Sequence, residues 1–413
     1  MVEPVTSNSY DNIDVTVILP TKNEPESIAE CIEKARKALR GMNLKYEIIV
    51  SDSSTDDTPE IARRHGAKVV HPDRLGYGYA YIYALRHARG KWVVMADGDG
   101  TYDLEEAPRL LEPLIKGEAD LVLGTRLKGR IMPGAMPWLH RYIGNPLLTF
   151  ILNKFYGITV SDAHTGFRAF TREAIAKIRP ISDGMEFASE LLIKAAYAKL
   201  RIVEVPITYY PRKGAPSKLR SFRDGWRHLI LLLILAPKFL YYVPATILNL
   251  TGITLLLAVL MRANLGYLPG IHSSILGGMM VLLGYNLAFT GFLTDIHLTE
   301  ILGRPTSRIT TTITRHFSIE KTMLAGVSTA ATGATYLLYL FIKWIESGYQ
   351  YLPLRGENVV ALTLFIIGIQ IIFHALSLHL FLHFRSNENG GNRWEKTLNH
   401  QTGISYPRVI SEK

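Results

Sequence analysis

Two carboxylates separated by a single glycine are the residues whose spacing points most directly to chemistry. Asp97 and Asp99 follow the apolar run 92–95, which is typical of a buried strand in a parallel sheet. Gly98 and Gly100 permit the chain to turn sharply where that strand ends. Because open α/β sheets bind ligands beyond the carboxyl ends of their strands, we expect both carboxylates to lie in a crevice.

This carboxylate pair predicts a metal-diphosphate site. Two acids so close together repel each other unless a cation lies between them or one of them takes a proton. Mg²⁺ and Mn²⁺ prefer oxygen ligands, and Mg²⁺ is commonly held by one or two carboxylates together with substrate phosphates. We therefore predict that Asp97 and Asp99 bind Mg²⁺ or Mn²⁺. The alternative is a strand-to-helix turn in which an aspartate caps the helix.

The elements that must position this pair follow from alternating apolar runs and helical patterns in the first half of the chain. The predicted strands are residues 15–20, 46–52, 68–71, 91–97, 120–124 and 202–210. Such alternation predicts an α/β domain with a mostly parallel sheet and helices on both faces. Pro206 predicts that the last of these strands lies at an edge of the sheet.

Polar residues follow four of the predicted strands. These clusters are residues 21–24, 51–57, 97–99 and 125–126. Carboxyl ends of parallel strands meet at one edge of a sheet, so we expect the four clusters to share a ligand. Gly76 stands before a predicted helix, where backbone N–H groups favour a phosphate. A Gly-x-Gly sequence is also ordinary loop chemistry, and that alternative stays open.

Composition separates a soluble half from a membrane half. The chain has 413 residues, a formal net charge of +10 and 48% hydrophobic residues, with long apolar stretches beyond Leu229. In such a chain the positive charge indicates anionic lipid and phosphate ligands rather than nucleic acid. Four stretches are near the roughly 20 residues that a bilayer core requires. The predicted membrane spans are residues 242–261, 271–294, 323–345 and 359–384.

The basic segment before these spans predicts an interfacial helix and, with the loops, an orientation. Trp226 and an apolar run lie among Lys and Arg residues, as in helices that rest on an anionic leaflet. The excess of Lys and Arg after the second and fourth spans predicts that both termini and the first domain lie in the cytoplasm, at the cell membrane. Small residues in the third span suit helix packing and leave a homo-oligomer open. The predicted domains are an α/β domain at 1–220, an interfacial region at 221–240, four spans at 241–385 and a flexible tail at 386–413.

Several motifs resemble those of a family 2 glycosyltransferase with the GT-A fold. Residues 20–24, 50–56 and 97–99 resemble its nucleotide-sugar half. Four further segments resemble the branch of dolichol-phosphate mannose synthases and polyprenyl-phosphate hexosyltransferases. They are residues 123–126, 138–145, 161–170 and 216–219. The resemblance covers roughly residues 12–235.

The resemblance implies a role for each matching residue. It assigns the nucleotide to Pro20, Thr21, Asn23, Glu24 and Asp52, and it assigns the metal and, through it, the nucleotide's diphosphate to Asp97 and Asp99. The residue pattern described above adds Gly76 to the nucleotide site. It assigns the lipid phosphate of the acceptor to Arg126, Arg141 and Asn145. A loop with Arg212, Lys213, Ser217 and Lys218 would close over the phosphates.

Some of these residues have competing interpretations. Arg126 is otherwise a surface arginine after a strand, and Arg141 has aromatic neighbours that suit a membrane surface. Asp162 is a candidate for sugar recognition, or an aspartate that holds a turn through an Asx hydrogen bond. Glu186 is a second candidate for the sugar. His164, like His140, lacks metal-ligand spacing, which favours a structural role.

The reaction that the resemblance implies is inverting transfer of a hexose to dolichyl or polyprenyl phosphate. Mannose from GDP-mannose ranks first and glucose from UDP-glucose second, since Lys22 stands where the family commonly has tyrosine. A phosphate acceptor is already anionic at neutral pH, so a general base is not required. A divalent ion on the aspartates would neutralise the departing nucleoside diphosphate. Catalytic roles therefore go to Asp97, Asp99 and Arg126.

Two other functions stay open. A processive polysaccharide synthase would share the sheet, but its Gln-x-x-Arg-Trp motif does not occur in this sequence. A non-catalytic lipid-sugar translocator or scaffold would use the four spans and retain the first domain for docking. The acidic and basic site residues disfavour the translocator or scaffold.

Overall fold

The computed structural model describes the backbone of residues 13–214, 221–302 and 306–402, with the side chains of 221–224, 300–302 and 383–402 left aside. The chain divides into two compact units, Met1–Ala236 and Pro237–Lys413. Each unit is built around its own packing: a sheet in the first and paired apolar helices in the second.

The first unit contains a seven-stranded sheet of order β3-β2-β1-β4-β6-β5-β7. The strands are β1 (Val15–Thr21), β2 (Tyr46–Asp52), β3 (Lys68–Val70), β4 (Trp92–Met95), β5 (Leu121–Ile131), β6 (Arg168–Thr171) and β7 (Ile202–Tyr209). Only β6 runs antiparallel to its neighbours β4 and β5. The predicted mostly parallel sheet is therefore confirmed, and β7 lies at the edge as Pro206 predicts.

Helices cover this sheet. They are α1 (Ile28–Gly41), α2 (Thr58–Arg64), α3 (Tyr77–Leu85), α4 (Ala107–Ile115), α5 (Asn145–Tyr156), α6 (Arg172–Ile178), α7 (Phe187–Tyr197) and α8 (Ser221–Ile234). The core forms because β1, β2 and β4 each contain an apolar run and α1 turns its apolar face onto them, as Val17, Ile32 and Val94 show by being fully buried.

Two features of the sheet differ from the sequence prediction. Strand β6 was not predicted, because its four residues begin with Arg168 and contain no apolar run. Strand β5 extends to Ile131 rather than ending at residue 124. Its second half is rich in charge but pairs with β7 after an irregularity between Thr125 and Arg130. Pairing with a neighbouring strand therefore overrides the local pattern.

The second unit contains α9 (Val243–Met261), α10 (Ile271–Leu302), α11 (Arg308–His316), α12 (Ile319–Glu346) and α13 (Gly356–Thr402). Four of these helices, with the turn before α9, are long and apolar enough to cross a membrane: Lys238–Met261, Ile271–Thr299, Ile319–Glu346 and Gly356–Leu382. The four predicted spans are confirmed. Helix α13 continues to Thr402, so residues 386–402 are helical where the sequence analysis expects a flexible tail. Extending an existing helix needs no new nucleation.

Glycines let the helices of this unit approach in pairs. A Cβ on Gly252 of α9 would lie 2.6 Å from the carbonyl oxygen of Gly277 of α10. A Cβ on Gly333 of α12 would lie 2.4 Å from the carbonyl oxygen of Ala361 of α13. The unit is thus built from two helical hairpins whose backbones touch through small residues.

Candidate active site

The Asp-Gly-Asp turn lies against the end of β1. Gly98 donates its backbone N–H to the carbonyl of Pro20 at 3.4 Å, and a Cβ on Gly98 would lie 2.6 Å from Cγ2 of Thr21. Gly100 has a φ of +76°, which favours glycine. The two glycines therefore bring the aspartates to the carboxyl ends of β4 and β1, as the sequence predicts.

Asp97 is oriented by two tyrosines of α3. Its Oδ1 accepts hydrogen bonds from the hydroxyls of Tyr77 at 3.0 Å and Tyr81 at 3.2 Å. Its Oδ2 lies on the side of Gly166, where a Cβ would approach it to 2.7 Å. Burial, and then the Asp99 carboxylate, raise the pKa of Asp97 to about 7. The two oxygens of this carboxylate thus have different surroundings: two hydroxyls hold Oδ1, and Oδ2 lies against Gly166.

Asp99 contacts both its own turn and the guanidinium of Arg212. Its Oδ1 accepts hydrogen bonds from the backbone N–H of Thr101 at 3.1 Å and from the Thr101 hydroxyl at 2.6 Å. Its Oδ2 lies 3.4 Å from Nη1 of Arg212. The turn interpretation of the Asp-x-Asp sequence therefore accounts for one oxygen of Asp99, and the other oxygen faces positive charge.

The two aspartates fit a divalent ion only if further oxygens come from a ligand. Among the described residues, no group of three or more His, Cys, Asp or Glu side chains is placed to hold a metal. Asp97 Oδ2 and Asp99 Oδ2 are hard oxygen donors, and burial, followed by the Asp99 carboxylate, raises the pKa of Asp97, an effect that a bound cation would oppose. Mg²⁺ and Mn²⁺ sites of this kind are completed by substrate phosphates and water.

The predicted nucleotide residues converge at the ends of β1 and β2. Asp52 is buried and accepts hydrogen bonds from the hydroxyls of Thr21 at 2.8 Å and Ser54 at 2.6 Å. Asn23, with a φ of 54°, accepts a hydrogen bond from the backbone N–H of Thr55 at 2.9 Å. These bonds tie the two strand ends together and leave the Asp52 carboxylate as an internal anchor of the cluster.

Gly76 is required by packing. A Cβ there would lie 2.4 Å from the carbonyl oxygen of Asp183, so the segment around residue 183 could not approach the start of α3. That same carbonyl accepts the backbone N–H of Tyr79 at 3.1 Å. The loop alternative therefore accounts for this glycine, and its role with a phosphate stays a prediction.

Arg126 and Asp162 form a buried bidentate pair. Nε of Arg126 donates to Oδ2 at 2.7 Å, and Nη2 donates to Oδ1 at 2.8 Å. Burial opposes both charges, yet the pair holds the pKa of Asp162 below and that of Arg126 above its usual range. The guanidinium also lies 5.1 Å from the ring of Tyr209. The sequence predicts different roles for these two residues, the acceptor phosphate for Arg126 and the sugar for Asp162, but in the structure each is the other's principal partner.

The predicted acceptor residues Arg141 and Asn145 lie where a π-helical turn, His140–Gly144, leads into α5. Arg141 lies 5.2 Å from the ring of Tyr142, and burial, then Arg126, lower the pKa of His140. Arg126 and this segment are therefore electrostatic neighbours. Large apolar side chains of the segment are exposed: Trp138, Leu139, Tyr142, Ile143, Leu147 and Phe150.

The loop after β7 is attached to the Asp-Gly-Asp turn. Tyr210 donates its backbone N–H to the Thr101 carbonyl at 2.9 Å, and Lys213 donates to the Asp99 carbonyl at 3.4 Å. Between them, Arg212 pairs with Asp99 and with Oε1 of Glu24. The other two predicted residues of this loop, Ser217 and Lys218, lie outside the described residues.

Two glutamates near the start of α7 differ in their surroundings. Glu190 is buried, pairs with Lys194 at 2.6 Å and accepts backbone N–H groups of residues 181 and 182. Glu186 accepts the backbone N–H of Gly184 at 3.3 Å through Oε1, while its Oε2 is buried without a hydrogen-bond partner among the described residues. His164 is half-buried, and loss of water around its ring holds its pKa well below the usual value.

Sequence reasoning missed the tyrosines that position Asp97. Tyr77 and Tyr81 are four residues apart, so they share one face of α3, and that spacing was the available signal. Gly166 was also missed as a contact: its backbone N–H donates to the hydroxyl of Tyr102 at 2.6 Å. Nothing local to these residues indicates that they meet at one carboxylate.

Comparison with known families gives two matches. The family described as glycosyl transferase family 2 matches residues 16–179. The family described as the glycosyltransferase family 2 C-terminal transmembrane region matches residues 294–382.

Individual relatives extend these matches. The low-salt glycan biosynthesis hexosyltransferase of Haloferax volcanii is 42% identical over 365 residues, which are 88% of this chain and 88% of the relative. The dolichyl-phosphate hexose transferase of the same organism is 35% identical over 223 residues, 54% of this chain and 92% of the relative. The crystal structure of Mycobacterium tuberculosis glucosyl-3-phosphoglycerate synthase with Mn²⁺ and UDP covers 54% of this chain and 79% of its own, at 27% identity. The TM-score between the two structures is 0.44, and no property of that enzyme is inferred for this chain.

Proposed function

The chain belongs to glycosyltransferase family 2, and we propose that it transfers a hexose from a nucleotide sugar to the phosphate of a dolichyl or polyprenyl lipid. The observation that carries this proposal is the convergence of Asp97, Asp99, Glu24 and Arg212 on one turn at the carboxyl end of β4. The names of the two Haloferax relatives, one a hexosyltransferase and one a dolichyl-phosphate hexose transferase, support the same class of reaction.

We propose that Asp97 and Asp99 hold Mg²⁺ or Mn²⁺. The ion, when bound, would stabilise the negative charge of the departing nucleoside diphosphate. Tyr77 and Tyr81 hold Oδ1 of Asp97 and so restrict the carboxylate to one orientation, in which Oδ2 would bind the ion. The internal hydrogen bonds of Asp52, Thr21 and their neighbours hold the nucleotide side in shape before binding, so less ordering is needed on binding.

The acceptor side is proposed to lie between Arg126 and the segment around Arg141. Arginine suits a phosphate because its planar fork donates two parallel hydrogen bonds. Asp162 already uses one edge of the Arg126 fork, so Arg126 would contribute charge and the Nη1 edge, and the second arginine, Arg141, would add its own fork. The exposed apolar face of α5 beside them would rest on lipid, which brings the phosphate of a membrane-bound acceptor within reach.

Glu186 is proposed to contact the sugar. Its buried Oε2 lacks a partner among the described residues, and a hydroxyl donor of the hexose would supply one. It begins α7 next to Phe187, whose ring stacks on that of Tyr81 at 5.5 Å, and Tyr81 in turn contacts Asp97. Sugar, metal ligands and α3 would therefore be linked through one short chain of contacts.

The donor is proposed to be GDP-mannose first and UDP-glucose second, as the resemblance in the sequence implies. An acceptor phosphate that attacks from the face opposite the diphosphate inverts the anomeric centre, and no general base is needed. The excess of Lys and Arg in the loops after the second and fourth spans supports a proposed position of the catalytic domain on the cytoplasmic side of the cell membrane. A homo-oligomer through the second unit is compatible with its small-residue packing.

The deciding experiment uses membranes with the full chain, labelled GDP-mannose and UDP-glucose, dolichyl or polyprenyl phosphate, and Mn²⁺ or EDTA. We expect acid-labile label in the organic phase, lost with EDTA and with Asp99→Asn. Asp103→Asn is the matched control, because Asp103 lies four residues away and caps the following 3₁₀ turn. Long water-soluble polymer would indicate a processive synthase instead, and absence of transfer with every donor would indicate a non-catalytic scaffold.

A further inference from the structure

Resting on the proposed function, we propose that Arg212 is the counterion of the site before metal and donor bind. It neutralises Asp99 and Glu24, and it exchanges these carboxylates for the donor's diphosphate once they bind. Arg212 thereby couples the binding of the divalent ion to the binding of the nucleotide. It is a positioning residue whose two sets of partners are mutually exclusive.

The guanidinium lies where positive charge is needed. Nη1 is 3.4 Å from Oδ2 of Asp99, the oxygen that the Thr101 turn leaves available. Nη2 contacts Oε1 of Glu24. The side chains of Arg212, Asp99 and Glu24 are 20%, 15% and 5% exposed, so water and salt screen these contacts only partly. One arginine therefore offsets charge on both the metal side and the nucleotide side.

This arrangement leaves Arg212 incompletely satisfied. Its Nε is buried and donates to no acceptor among the described residues. A buried donor without a partner is costly, and a guanidinium has five donors in a fixed fork. A phosphate presents several oxygens in the geometry that this fork prefers. Exchange of carboxylates for a diphosphate would supply the missing acceptor, so the exchange is favoured once the diphosphate is present.

The backbone around Arg212 makes exchange local. Tyr210 and Lys213 both donate backbone hydrogen bonds to the Asp-Gly-Asp turn, one on each side of Arg212. Gly214 follows with a φ of +76°, so the chain turns directly after the second anchor. The Arg212 side chain can therefore change partners by rotation while its Cα stays beside the metal ligands.

The divalent ion and Arg212 would compete for the same oxygen, Oδ2 of Asp99. A divalent ion on Asp99 and the Arg212 cation repel each other, so the ion must displace Arg212 when it binds alone. A diphosphate accepts Arg212 and removes that opposition. By linkage, the metal strengthens nucleotide binding by the same factor as the nucleotide strengthens metal binding.

The test measures Mn²⁺ affinity of the purified full chain in detergent by electron paramagnetic resonance, without nucleotide and with GDP or UDP. Arg212→Gln is expected to bind Mn²⁺ alone roughly tenfold more tightly than the unmodified protein, and to lose most of the enhancement by nucleotide. Arg212→Lys keeps the charge and loses the fork, so it should retain weak Mn²⁺ binding and lose part of the enhancement. Thermal unfolding of each variant confirms that it is folded.

Lys213→Gln is the matched control, because it removes the same charge one residue further on. Lys213 pairs with Glu30 rather than with the site carboxylates. Its Mn²⁺ affinity without nucleotide should stay within about twofold of the unmodified protein. Equal tightening in Lys213→Gln, or none in Arg212→Gln, would overturn the exchange while leaving metal-dependent hexose transfer intact. If Mn²⁺ binds to no variant under any condition, the metal assignment and the exchange both fail.

Discussion

Asp97 and Asp99 are the same residue type with opposite surroundings. Asp97 is half-buried and held by two phenol hydroxyls, whereas Asp99 is held by its own turn and by Arg212. Loss of surrounding water disfavours the charged form of Asp97, and the nearby Asp99 carboxylate adds to this effect, so the pKa of Asp97 is raised to about 7. The charge of Asp97 therefore changes near neutral pH.

Removing the hydroxyls that hold Asp97 should weaken the site without removing a metal ligand. Tyr77→Phe and Tyr81→Phe each delete one hydrogen bond to Oδ1, and in the double variant the carboxylate is free to rotate. Groups that orient metal ligands are worth roughly 10–100-fold in metal affinity or activity. We expect a loss in this range for the double variant, measured as Mn²⁺ affinity and initial transfer rate.

The control for these variants is Tyr83→Phe on the same helix. Tyr83 contacts Tyr79 and His87 through its ring, which phenylalanine retains. Its Mn²⁺ affinity should match that of the unmodified protein. If all three single variants behave alike, the tyrosine hydroxyls do not position Asp97.

The raised pKa of Asp97 gives a stability that depends on pH in the metal-free protein. The folded pKa, about 7, lies above the value near 3.9 of an unfolded aspartate, so the folded state holds more protons between these values. This contribution is fully present below about pH 4 and is lost as the pH rises through about 7. We expect Asp97→Asn to unfold at a higher temperature than the unmodified protein at about pH 8 and to differ less at about pH 5.

Calorimetry in EDTA at several pH values tests this expectation. Saturating Mn²⁺ with nucleotide should reverse the order at the higher pH, because only the aspartate binds the ion. A constant difference between the two proteins at all pH values would show that Asp97 does not titrate in this window.

At the scale of elements, the Arg126–Asp162 pair connects β5 to the segment before β6. Backbone N–H, Nε and Nη2 of Arg126 all donate to the Asp162 carboxylate. The pair therefore fixes the segment that carries His164 and Gly166 against the strand that leads into the acceptor side. A similar buried role belongs to Arg168, which donates to three backbone carbonyls.

Breaking this pair should be costly. Asp162→Asn leaves the buried guanidinium of Arg126 without its counterion, which typically destabilises by about 3–5 kcal/mol. We expect a marked fall in the unfolding temperature of the full chain in detergent, measured by tryptophan fluorescence. Asp120→Asn removes a carboxylate from the exposed pair with Arg201 and should change it little.

Helix α5 should contribute to acceptor use through its exposed face. Leu147→Glu with Phe150→Glu places two charges among side chains that are proposed to rest on lipid. Burial of such side chains is worth about 1.5–3 kcal/mol each, so KM for the polyprenyl phosphate should rise by about tenfold or more. KM for the nucleotide sugar should hold steady. Ile115→Glu, on the exposed surface of α4, serves as the control and should alter neither constant.

At the scale of the whole molecule, the second unit depends on close helix contact. A Cβ on Gly333 would lie 2.4 Å from a backbone oxygen, and one on Gly368 would lie 2.3 Å from the backbone nitrogen of Ala330. Gly333→Ala or Gly368→Ala must push α12 and α13 apart, which for overpacking costs about 1–3 kcal/mol. We expect a lower unfolding temperature for each, whereas Gly270→Ala, with open space at its Cβ, should unfold like the unmodified protein.

The elements that could be predicted from the sequence differ from those that could not in how they form. The strands that end in polar clusters, the edge position of β7 and the four spans were predicted, because each rests on a run of neighbouring residues. The short strand β6 and the extension of β5 were not predicted, because their residues form strands only by pairing with neighbouring strands. The helical continuation to Thr402 was also missed, since a polar composition does not end an established helix.

Some features of the candidate site could likewise be predicted from neighbouring residues, and others could not. Local sequence alone determined the Asp-Gly-Asp turn, the apolar strand behind it and the separation into a sheet unit and a membrane unit. Only the tertiary structure decided that Arg126 belongs to Asp162, 36 residues away, and that Arg212 reaches Glu24, 188 residues away. The physical reason is that hydrophobic periodicity is written in neighbouring residues, whereas a buried charge is compensated by whichever partner the folded chain brings beside it.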